Sequence, residues 1–443
     1  MSQPTVFIET YGCQMNVSDS ELMLGKLAAE GYAAVQSPEA ADVVLLNTCA
    51  IREHAETRVI GRLTELRRFL KPDAVLGVTG CMAQRLGPRL LDSDSRVSLV
   101  IGPDGYRALP LLIEGARKGE RMIATDFDLE EHYEDVQASR FDGVKAWIPV
   151  QRGCDYRCTY CIVPFTRGSE RSRRLEDVVR ETQRVVAEGL TEVVLLGQTV
   201  NSYHDGARGF ADLLRAVGAV PGLRRLRFTS PHPNDFSDGV IGAMADVDAV
   251  CEHVHLPMQS GSSRTLRRML RRYSREEYLD CVARLRVAIP GLGLTTDIIV
   301  GFPGETDEDF RETLSAVREV GFDDAFMFKF SAREGTPATR LPAEMTVPGD
   351  LVDARFDELL KTVRGIARDR NFRRVGERCE VLVEKEARKG ELMQARSREF
   401  RTVLIPGDKR MIGQYHHVEL TGTTGSTFTG QIVRERTPLP VSS

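Results

Sequence analysis

Three cysteines crowded into one short segment constrain this chain more than any other feature. Residues 151–171 read QRGCDYRCTYCIVPFTRGSER, which places Cys154, Cys158 and Cys161 in a C-x3-C-x2-C spacing. Soft thiolates at such close spacing are ligands of iron–sulfur clusters or of zinc. Structural zinc takes four protein ligands, and the segment offers no fourth cysteine or histidine. The spacing therefore favours a four-iron cluster held by three thiolates, with one iron open to a small ligand. Zinc remains the alternative.

The composition sets the class of protein and the compartment. A chain of 443 residues, 42% hydrophobic and 28% charged, is expected to form two or three globular domains. It contains no apolar run of about 18 residues and no secretory signal, so we expect neither a membrane span nor export. Nine cysteines in such a chain indicate a reducing, cytoplasmic setting. Because the net charge is only −4, any nucleic-acid binding must come from local basic patches.

Short β runs alternate with helical patterns over residues 1–121. The alternation predicts a doubly wound parallel sheet. The expected strands are Thr5–Glu9, Asp42–Leu46, Ala74–Val78 and Ser98–Ile101. Helices are expected over Ser18–Glu30 and Ile51–Leu70. A polar, acidic linker is expected over residues 122–144.

Three further cysteines follow the first three of these strands. Cys13, Cys49 and Cys81 each come directly after a strand pattern. Because ligands sit at the carboxyl ends of the strands in open α/β sheets, we expect these three side chains to converge there. The alternative is that all three are small buried residues, a common environment for cysteine.

Six βα units fill residues 145–370. Their repetition predicts an open (β/α)6 barrel of parallel strands with its site at the carboxyl rim. The expected strands are Ala146–Val150, Val193–Leu196, Arg225–Thr229, His253–Leu256, Leu294–Val300 and Ala325–Phe330. The three-cysteine segment follows the first strand and so lies on that rim. Gln198, Gln259 and Asp297 are further rim candidates, with structural hydrogen bonding as the alternative.

The sequence suggests roles for several other residues at the rim, in the core and on the surface. His232 could carry a proton or shape its loop. Cys251, Cys281 and Cys379 lack partners at ligand spacing and are interpreted as core residues. The arginine-rich runs at residues 264–275 and 364–378 are either solvated faces or phosphate contacts.

The pattern changes after residue 370. Residues 371–437 hold five short, partly alternating runs separated by glycines, which predict an all-β barrel, and residues 438–443 form a tail. Such barrels often bind nucleic acid, and a plain accessory domain is the alternative. Its expected basic side consists of Lys385, Arg388, Lys389, Arg396, Arg398 and Arg401.

Longer strings resemble one protein family across nearly the whole chain. GCDYRCTYCIVPFTRGSERSR resembles the radical S-adenosylmethionine (SAM) methylthiotransferases. ETYGCQMNVSDSE, LNTCAIREHAE and VTGCMAQ are similar to the N-terminal domain of the same family, and the last domain resembles a TRAM RNA-binding module. The resemblance implies one 4Fe–4S cluster, which binds SAM, on Cys154, Cys158 and Cys161. It implies a second cluster, carrying the sulfur to be inserted, on Cys13, Cys49 and Cys81.

The same resemblance implies roles for several other residues. Tyr160, Gln198, Gln259 and Asp297 would contact SAM or the substrate. Asn16 and Asn47 match positions beside the second cluster, and their role is open. No side chain is expected to act as the catalyst, because the clusters and SAM carry the reaction.

The strings YGCQMN, NTCAIRE and PFTRGSERSR look like the branch that acts on N6-dimethylallyladenosine at position 37 of the tRNA anticodon loop. The implied reaction consumes two SAM molecules. One yields a radical that removes hydrogen from carbon 2 of the base, and the other methylates the sulfur. The expected partners are tRNA, a reducing electron donor and a sulfur source, and the chain is expected to be a monomer.

Two groups of alternatives remain. Related methylthiotransferases act on threonylcarbamoyl-adenosine in tRNA or on an aspartate of a ribosomal protein. Outside catalysis, the chain could be a metal-stabilised RNA-binding protein or an iron–sulfur redox sensor.

Overall fold

The N-terminal region is a six-stranded parallel sheet. The structure is a computed structural model and describes residues 3–50, 53–93, 96–140, 143–388 and 391–433. The strands are β1 (Thr5–Thr10), β2 (Ala33–Ala34), β3 (Val43–Thr48), β4 (Val75–Gly80), β5 (Val97–Ile101) and β6 (Met122–Ala124), in the order β2-β1-β3-β4-β5-β6. The helices are α1 (Gln14–Ala29), α2 (Glu53–Leu66), α3 (Cys81–Leu86), α4 (Pro88–Ser93) and α5 (Leu109–Arg117).

Both faces of this sheet are covered, as the doubly wound prediction requires. Every residue of β3 and β4 is buried. Val43 and Leu45 pack on one side in the core formed with α1 and α5, whereas Val44 and Leu46 pack on the other with α2, α3 and α4. The continuous apolar run of a central parallel strand thus serves two cores. The helix predicted from Ile51 ends at Leu66, and residues 51 and 52 lie outside the described residues.

Residues expected to form a linker belong largely to this first region. The sheet includes β6, which begins at Met122 and pairs with β5. Farther on, Tyr133 is buried, its hydroxyl donating to Pro103 O at 3.0 Å and accepting from Tyr106 N at 3.0 Å. Ser139 N donates to Glu21 O of α1 at 2.9 Å. This segment therefore packs onto the sheet region through hydrogen bonds and apolar contact.

The central region is the predicted open barrel of parallel strands. Its six strands are β7 (Lys145–Pro149), β10 (Glu192–Leu196), β13 (Arg225–Phe228), β14 (His253–His255), β15 (Gly293–Val300) and β16 (Asp324–Lys329). They form two parallel sheets, β13-β10-β7 and β14-β15-β16, joined by a bridge between Leu226 and Val250. The short pairs β8 (Gln151–Arg152) with β9 (Arg171–Ser172), and β11 (His204–Asp205) with β12 (Arg208–Gly209), decorate the rim.

Helices follow these strands. They are α6 (Val163–Arg167), α7 (Leu175–Ala187), α8 (Phe210–Gly218), α9 (Asp238–Asp246), α10 (Ser263–Arg268), α11 (Arg275–Ala288), α12 (Asp307–Val320) and α13 (Gly349–Phe372). All of them except the short α6, which contacts α3 of the N-terminal region, pack on the outside of the barrel. Alternate strand residues such as Ile148, Leu195 and Ile298 enter one large core with these helices. Because strand side chains alternate, their neighbours face the inside of the barrel. Among the described residues, no helix has the length and apolar character needed to cross a bilayer.

The last region is a closed five-stranded barrel, as predicted. Its strands are β17 (Arg378–Glu386), β18 (Leu392–Ser397), β19 (Thr402–Pro406), β20 (Tyr415–Thr423) and β21 (Thr427–Ile432), in the order β17-β18-β19-β21-β20. Nine buried apolar residues fill it, among them Val381, Val403 and Phe428. Lys389 and residues 434–443, which include the predicted tail, lie outside the described residues.

This small barrel covers the amino-terminal mouth of the central barrel. Residues at the starts of the strands meet it: Lys145 Nζ lies 2.9 Å from Glu384 Oε1, and the His253 ring stacks on Phe400 at 4.7 Å between centroids. A Cβ built on Gly293 would lie 2.5 Å from Glu399 O, so glycine permits this close approach. The β18–β19 turn, residues 397–401, therefore forms the floor of the central barrel.

Candidate functional site

The loop after β7 carries the first cysteine triad at the carboxyl rim. Gly153 has a φ of +74°, and a Cβ there would lie 1.9 Å from Ser169 O. Glycine therefore allows the chain to fold back, and Cys154 N donates to Gly168 O at 3.2 Å. Cys154 and Cys158 are buried, and Cys161 is half-buried at the start of the short turn that leads into α6.

The sulfur atoms of this triad are close enough to influence one another. Burial raises the pKa of Cys161 to about 12, and Cys158 and Cys154 add to the rise. Arg271 Nη1 donates to the Cys158 sulfur at 3.3 Å, and a hydrogen bond of 3.2 Å joins the Cys154 sulfur to Thr199 Oγ1. Hydrogen bonds to ligating sulfur orient the ligand and tune an iron–sulfur centre. A bound metal deprotonates such thiols outright, which offsets the cost of burying them as thiolates.

The four predicted SAM contacts lie on the same rim. Gln198 follows β10, and its side-chain oxygen is buried without a hydrogen-bond donor among the described residues. Gln259 has a φ of +65° and its N–H donates to Asp297 O at 2.8 Å. Asp297 Oδ1 lies 3.3 Å from His255 Nε2. Tyr160 packs edge-on against Phe302 at 6.4 Å between centroids. The contacts of these four residues with SAM stay a prediction.

The second triad lies at the carboxyl edge of the N-terminal sheet. Cys13 caps α1 after β1, Cys49 follows β3, and Cys81 begins α3 after β4. These three strands are neighbours in the sheet, so the three cysteine loops lie side by side at one edge. A Cβ on Gly12 would lie 2.9 Å from the Cys49 Cβ, which shows how tightly the first two cysteine loops meet.

Asn16 and Asn47 fix these loops together. Asn16 Nδ2 donates to Asn47 Oδ1 and to Thr48 O, both at 3.2 Å. Asn47 Nδ2 donates to Asn16 O at 2.7 Å and to Ser20 Oγ at 2.8 Å. Cys13 N donates to Asn16 Oδ1 at 3.4 Å. Both asparagines are fully buried and connect the start of α1 to the end of β3. They therefore hold the cysteine loops in place, a role that the sequence left open.

Apolar contacts bring the two triads to one cleft. Cys13 and Met15 pack with Trp147, Val194 and Leu196, which face the inside of the central barrel from β7 and β10. A second small cluster joins Ala50 and Cys81 to Ile162, the residue after Cys161. The N-terminal sheet therefore docks its cysteine edge against the open side of the barrel, beside the first triad.

A buried ion triad at this junction escaped the sequence analysis. Asp19 on α1 is fully buried, with Arg167 Nη2 2.7 Å from its Oδ2 and Arg152 Nη2 3.0 Å from its Oδ1. Arg171 and Asp104 form a second buried pair at 2.6 Å. Both pairings join residues more than 60 positions apart in a single sequence, so no local pattern could have revealed them.

All nine cysteines lie in the described ranges, and none of them forms a disulfide. The six thiols of the two triads are therefore available as ligands. Within the described ranges, no three His, Cys, Asp or Glu side chains stand at the spacing of a single metal ion.

His232 shapes the rim. Its ring is buried and stacks on Tyr156 at 3.9 Å between centroids. Burial, with smaller contributions from Arg271 and Arg272, lowers the pKa of His232 to about 2. The ring is therefore neutral near pH 7 and serves packing and loop geometry. Cys251 and Cys281 are buried, and Cys379 packs against the last barrel core, in agreement with the core interpretation.

Most arginines of the predicted basic patches have internal partners. Along residues 264–275, Arg264 pairs with Asp309, Arg268 Nη1 donates to Gly304 O at 2.7 Å, and Arg267 and Arg272 are exposed. The expected basic side of the last domain is wrong for three of its members. Arg398 and Arg401 pair with Glu252 and Asp323 of the central barrel, and Arg396 pairs with Glu384 inside the last domain. Lys385 and Arg388 are exposed.

Comparison with known proteins identifies two regions of the chain. Residues 5–102 match the uncharacterized protein family UPF0004, and residues 148–317 match the radical SAM superfamily. The radical SAM methyltransferase TsrM from Kitasatospora setae shares the fold with a TM-score of 0.59. That likeness covers 79% of this chain and 80% of TsrM at 17% identity, and so concerns the fold alone.

Curated relatives match over almost the entire length. A tRNA-2-methylthio-N6-dimethylallyladenosine synthase from Bacteroides thetaiotaomicron is 43% identical, over 97% of this chain and 96% of its own length. The synthase of the same name from Caldicellulosiruptor saccharolyticus is 41% identical, over 97% of this chain and 92% of its own. The chain therefore belongs to the tRNA-2-methylthio-N6-dimethylallyladenosine synthase family of radical SAM transferases.

Proposed function

We propose that this protein adds a methylthio group to carbon 2 of N6-dimethylallyladenosine at position 37 of tRNA. The observation that carries the proposal is the meeting of two cysteine triads at the open side of a radical SAM barrel, where Cys13 shares an apolar cluster with Trp147 and Cys81 shares another with Ile162. Methylthiolation of an unactivated aromatic carbon needs both a radical source and a sulfur store, and each triad can hold one of them. A tRNA substrate also places the enzyme in the cytoplasm.

The cofactors are two 4Fe–4S clusters and SAM. We assign the SAM-binding cluster to Cys154, Cys158 and Cys161. The second cluster is assigned to Cys13, Cys49 and Cys81. When bound, the first supplies the electron that cleaves SAM and the second carries the sulfur that is transferred.

The residues of the chain position and shield these groups. Arg271 and Thr199 contact the sulfur atoms of the first triad and so fix their orientation. Met15, Val194 and Leu196 are buried at the junction and exclude water from the space between the triads. The side-chain oxygen of Gln198, which has no donor among the described residues, is suited to accept a hydrogen bond from an N–H group of a bound ligand.

Incubation of the protein with tRNA tests the function. The protein is purified without oxygen and reconstituted with iron and sulfide. It is then incubated with SAM, a reductant and tRNA that contains N6-dimethylallyladenosine. Mass spectrometry of the nucleosides should show the 2-methylthio product, whereas unprenylated tRNA should remain unchanged. Cluster-loaded protein that leaves the prenylated base unaltered but modifies threonylcarbamoyl-adenosine or a ribosomal protein would assign it to the alternative substrates.

Cysteine variants separate the two triads. Cys158→Ala should abolish formation of 5′-deoxyadenosine, because the SAM-binding cluster loses a ligand. Cys49→Ala should retain some SAM cleavage but form no methylthio product. Cys251→Ala is the matched control, since Cys251 is buried in the core of the central barrel, and it should keep both activities. Full product formation by Cys158→Ala or Cys49→Ala would contradict the assignment.

Exposed arginines at two places on the surface are the proposed phosphate contacts. Arg267 lies on α10 at the rim and Arg272 in the loop after it, whereas Arg364 lies on α13 and Arg373 just after that helix, toward the last domain. Reversing one charge with Arg267→Glu should weaken tRNA binding and reduce its dependence on salt by about one ion. Filter binding at several salt concentrations measures both quantities, and an unchanged salt slope would remove Arg267 from the interface.

A further inference from the structure

Two large apolar side chains are exposed on the last strand of the central barrel. Phe326 is 57% exposed and Phe328 is 36% exposed. Their strand neighbours Ala325 and Met327 pack into the core formed with the outer helices. Because side chains alternate along a strand, Phe326 and Phe328 face the inside of the barrel. Large exposed apolar groups on a concave surface are typical of a ligand site.

Polar groups lie next to these rings. The register of β15 and β16 places Asp297 directly beside Phe326. The His255 ring meets the Phe326 ring edge-on at 5.7 Å between centroids. His255 Nε2 lies 3.3 Å from Asp297 Oδ1, and its Nδ1 lies 3.0 Å from Thr295 Oγ1. We call Phe326, Phe328, His255 and Asp297 the inner wall.

The inner wall borders the opening of the barrel. Within the described strands, β7 and β16 are the free edges of the two parallel sheets, so the opening lies between them. The β7 side of the opening holds Trp147, which packs with Cys13 of the second triad. The β16 side holds the inner wall. A group entering through the opening therefore passes between the aromatic pair and the cysteines.

We propose that the inner wall is the subsite that holds the dimethylallyl-adenine base of the tRNA. The phenyl rings of Phe326 and Phe328 lie against the five-carbon chain and the purine face, and the His255–Asp297 pair lies toward the polar edge of the base. The inference rests on the proposed function and deepens it. It assigns the residues that distinguish a prenylated adenine from an unmodified one.

The chemistry of the occupant matches the wall. An adenine ring stacks on aromatic side chains, and each base–aromatic contact is worth about tenfold in affinity. The prenyl chain is apolar and branched, so its burial against the two exposed phenyl rings is favourable. A site that buries these extra carbons binds a prenylated adenine more tightly than an unmodified one. Imidazole beside a carboxylate supplies the few polar groups that fix orientation in an otherwise apolar site.

Equilibrium binding tests the subsite. A synthetic anticodon stem–loop is prepared with and without the dimethylallyl group and titrated against the reconstituted protein. Phe326→Ala and Phe328→Ala should each weaken binding of both stem–loops through lost base stacking, and should weaken binding of the prenylated one about tenfold more because the apolar chain loses its cover. Phe326→Tyr keeps the ring and should retain the selectivity. Phe69→Ala, which removes a phenyl ring with 46% exposure from the N-terminal region, is the matched control and should alter neither affinity.

Equilibrium dialysis with SAM alone shows whether the inner wall holds the adenine base of the tRNA or the adenine of SAM. The subsite assignment requires that Phe326→Ala leaves the affinity for SAM unchanged. An equal loss of affinity for SAM would mean that the wall holds the adenine of SAM, which overturns the inference. Unaltered selectivity for the prenyl group in both alanine variants would overturn it as well.

Product formation by the wild-type protein shows whether the subsite assignment alone is wrong or the proposed function is wrong. If it methylthiolates the prenylated stem–loop while the alanine variants keep full selectivity, the inner wall alone is wrongly assigned. If the wild-type protein forms no methylthio product at all, the proposed function fails.

Discussion

The cysteine loop after β7 depends on one residue without a side chain. Gly153 combines a left-handed backbone with a Cβ position only 1.9 Å from Ser169 O. We expect Gly153→Ala to distort the loop and to reduce the iron content after reconstitution to about half, because only the second triad would still be filled. Iron and sulfide analysis measures this.

The control for this glycine is Gly189→Ala. Gly189 also has a positive φ, +94°, but no atom of the described residues, apart from its own chain neighbours, lies within 4 Å of its Cβ position. This variant carries similar backbone strain outside the cysteine loop and should retain the full iron content. Equal iron in both variants would show that crowding at Gly153 does not govern the loop.

The contact of Glu384 with Lys145 and Arg396 stabilises the fold to an extent that depends on pH. Burial alone would raise the pKa of Glu384, but Lys145 and Arg396 outweigh it and hold the pKa at about 2, below the ordinary value of 4.5. A depressed folded-state pKa contributes stability above the ordinary value, and this contribution is lost as the pH falls from about 4.5 toward 2. It amounts to about 3 kcal/mol at neutral pH.

We therefore expect Glu384→Gln to lower the urea midpoint at pH 7 and to approach the wild-type midpoint as the pH falls toward 3. Unfolding at a series of pH values measures the difference. Arg410 and Asp408 form an exposed pair, so Asp408→Asn should have little effect at any of these pH values. A Glu384→Gln difference that stays constant with pH would contradict the assignment.

Single residues also show where sequence reasoning was sufficient. The cysteines could be located from the sequence, because the first triad lies in one short segment and each cysteine of the second triad directly follows an apolar strand pattern. Arg271, Asp19 and Arg167 could not, because each acts through a partner far away in the chain, for example 113 residues between Arg271 and Cys158. Arg225 and Arg227 looked like ordinary charged residues in a strand, yet both are buried.

At the level of elements, hydrophobic patterning was a good guide to strands. All six strands of the central barrel and all five of the last domain were predicted, because central parallel strands are continuously apolar and small barrels alternate. Two-residue strands such as β2 and β8 carry too little pattern to be seen, and β6 lies in a stretch that looks polar overall. The contacts between elements of different domains could not be predicted, because they produce no pattern within a short stretch of sequence.

Helix α12 is fixed to the rim by its first turn. Thr306 caps it by accepting from Asp309 N at 3.3 Å, and Asp309 accepts from Thr306 N at 2.7 Å and from Ser262 Oγ at 2.7 Å. We expect Thr306→Ala to cost about 1 kcal/mol of unfolding free energy, measured by urea denaturation.

The cap of α9 provides the comparison for α12. Ser237 accepts from Val240 N at 3.3 Å without a capping box. Ser237→Ala should therefore cost less than Thr306→Ala. A larger loss at Ser237 would mean that the capping box of α12 adds nothing to stability.

At the scale of the molecule, the last domain completes the central barrel. Arg225 is fully buried and donates to Arg396 O at 2.8 Å and to Glu380 O at 3.1 Å. Arg227 donates to Arg398 O at 2.7 Å and Ser397 O at 2.8 Å. Removing residues 375–443 would break these hydrogen bonds and the one from Arg225 Nη2 to Glu380 Oε1, at a net cost of about 1 kcal/mol for each bond because water replaces the lost acceptors.

The truncated chain should therefore melt at a clearly lower temperature than the full chain in scanning calorimetry. A truncated chain that melts at the wild-type temperature would show that the last domain is an independent appendage.

The floor formed by residues 397–401 has a consequence for the path of the RNA. The cysteines occupy one end of the central barrel and the small β-barrel closes the other, with β15, eight residues long, spanning about 26 Å between them. A tRNA that bound both the rim and the last domain would therefore have to extend over this distance along the outside of the central barrel. The length of the barrel would then decide which nucleotide of the anticodon loop reaches the cysteines.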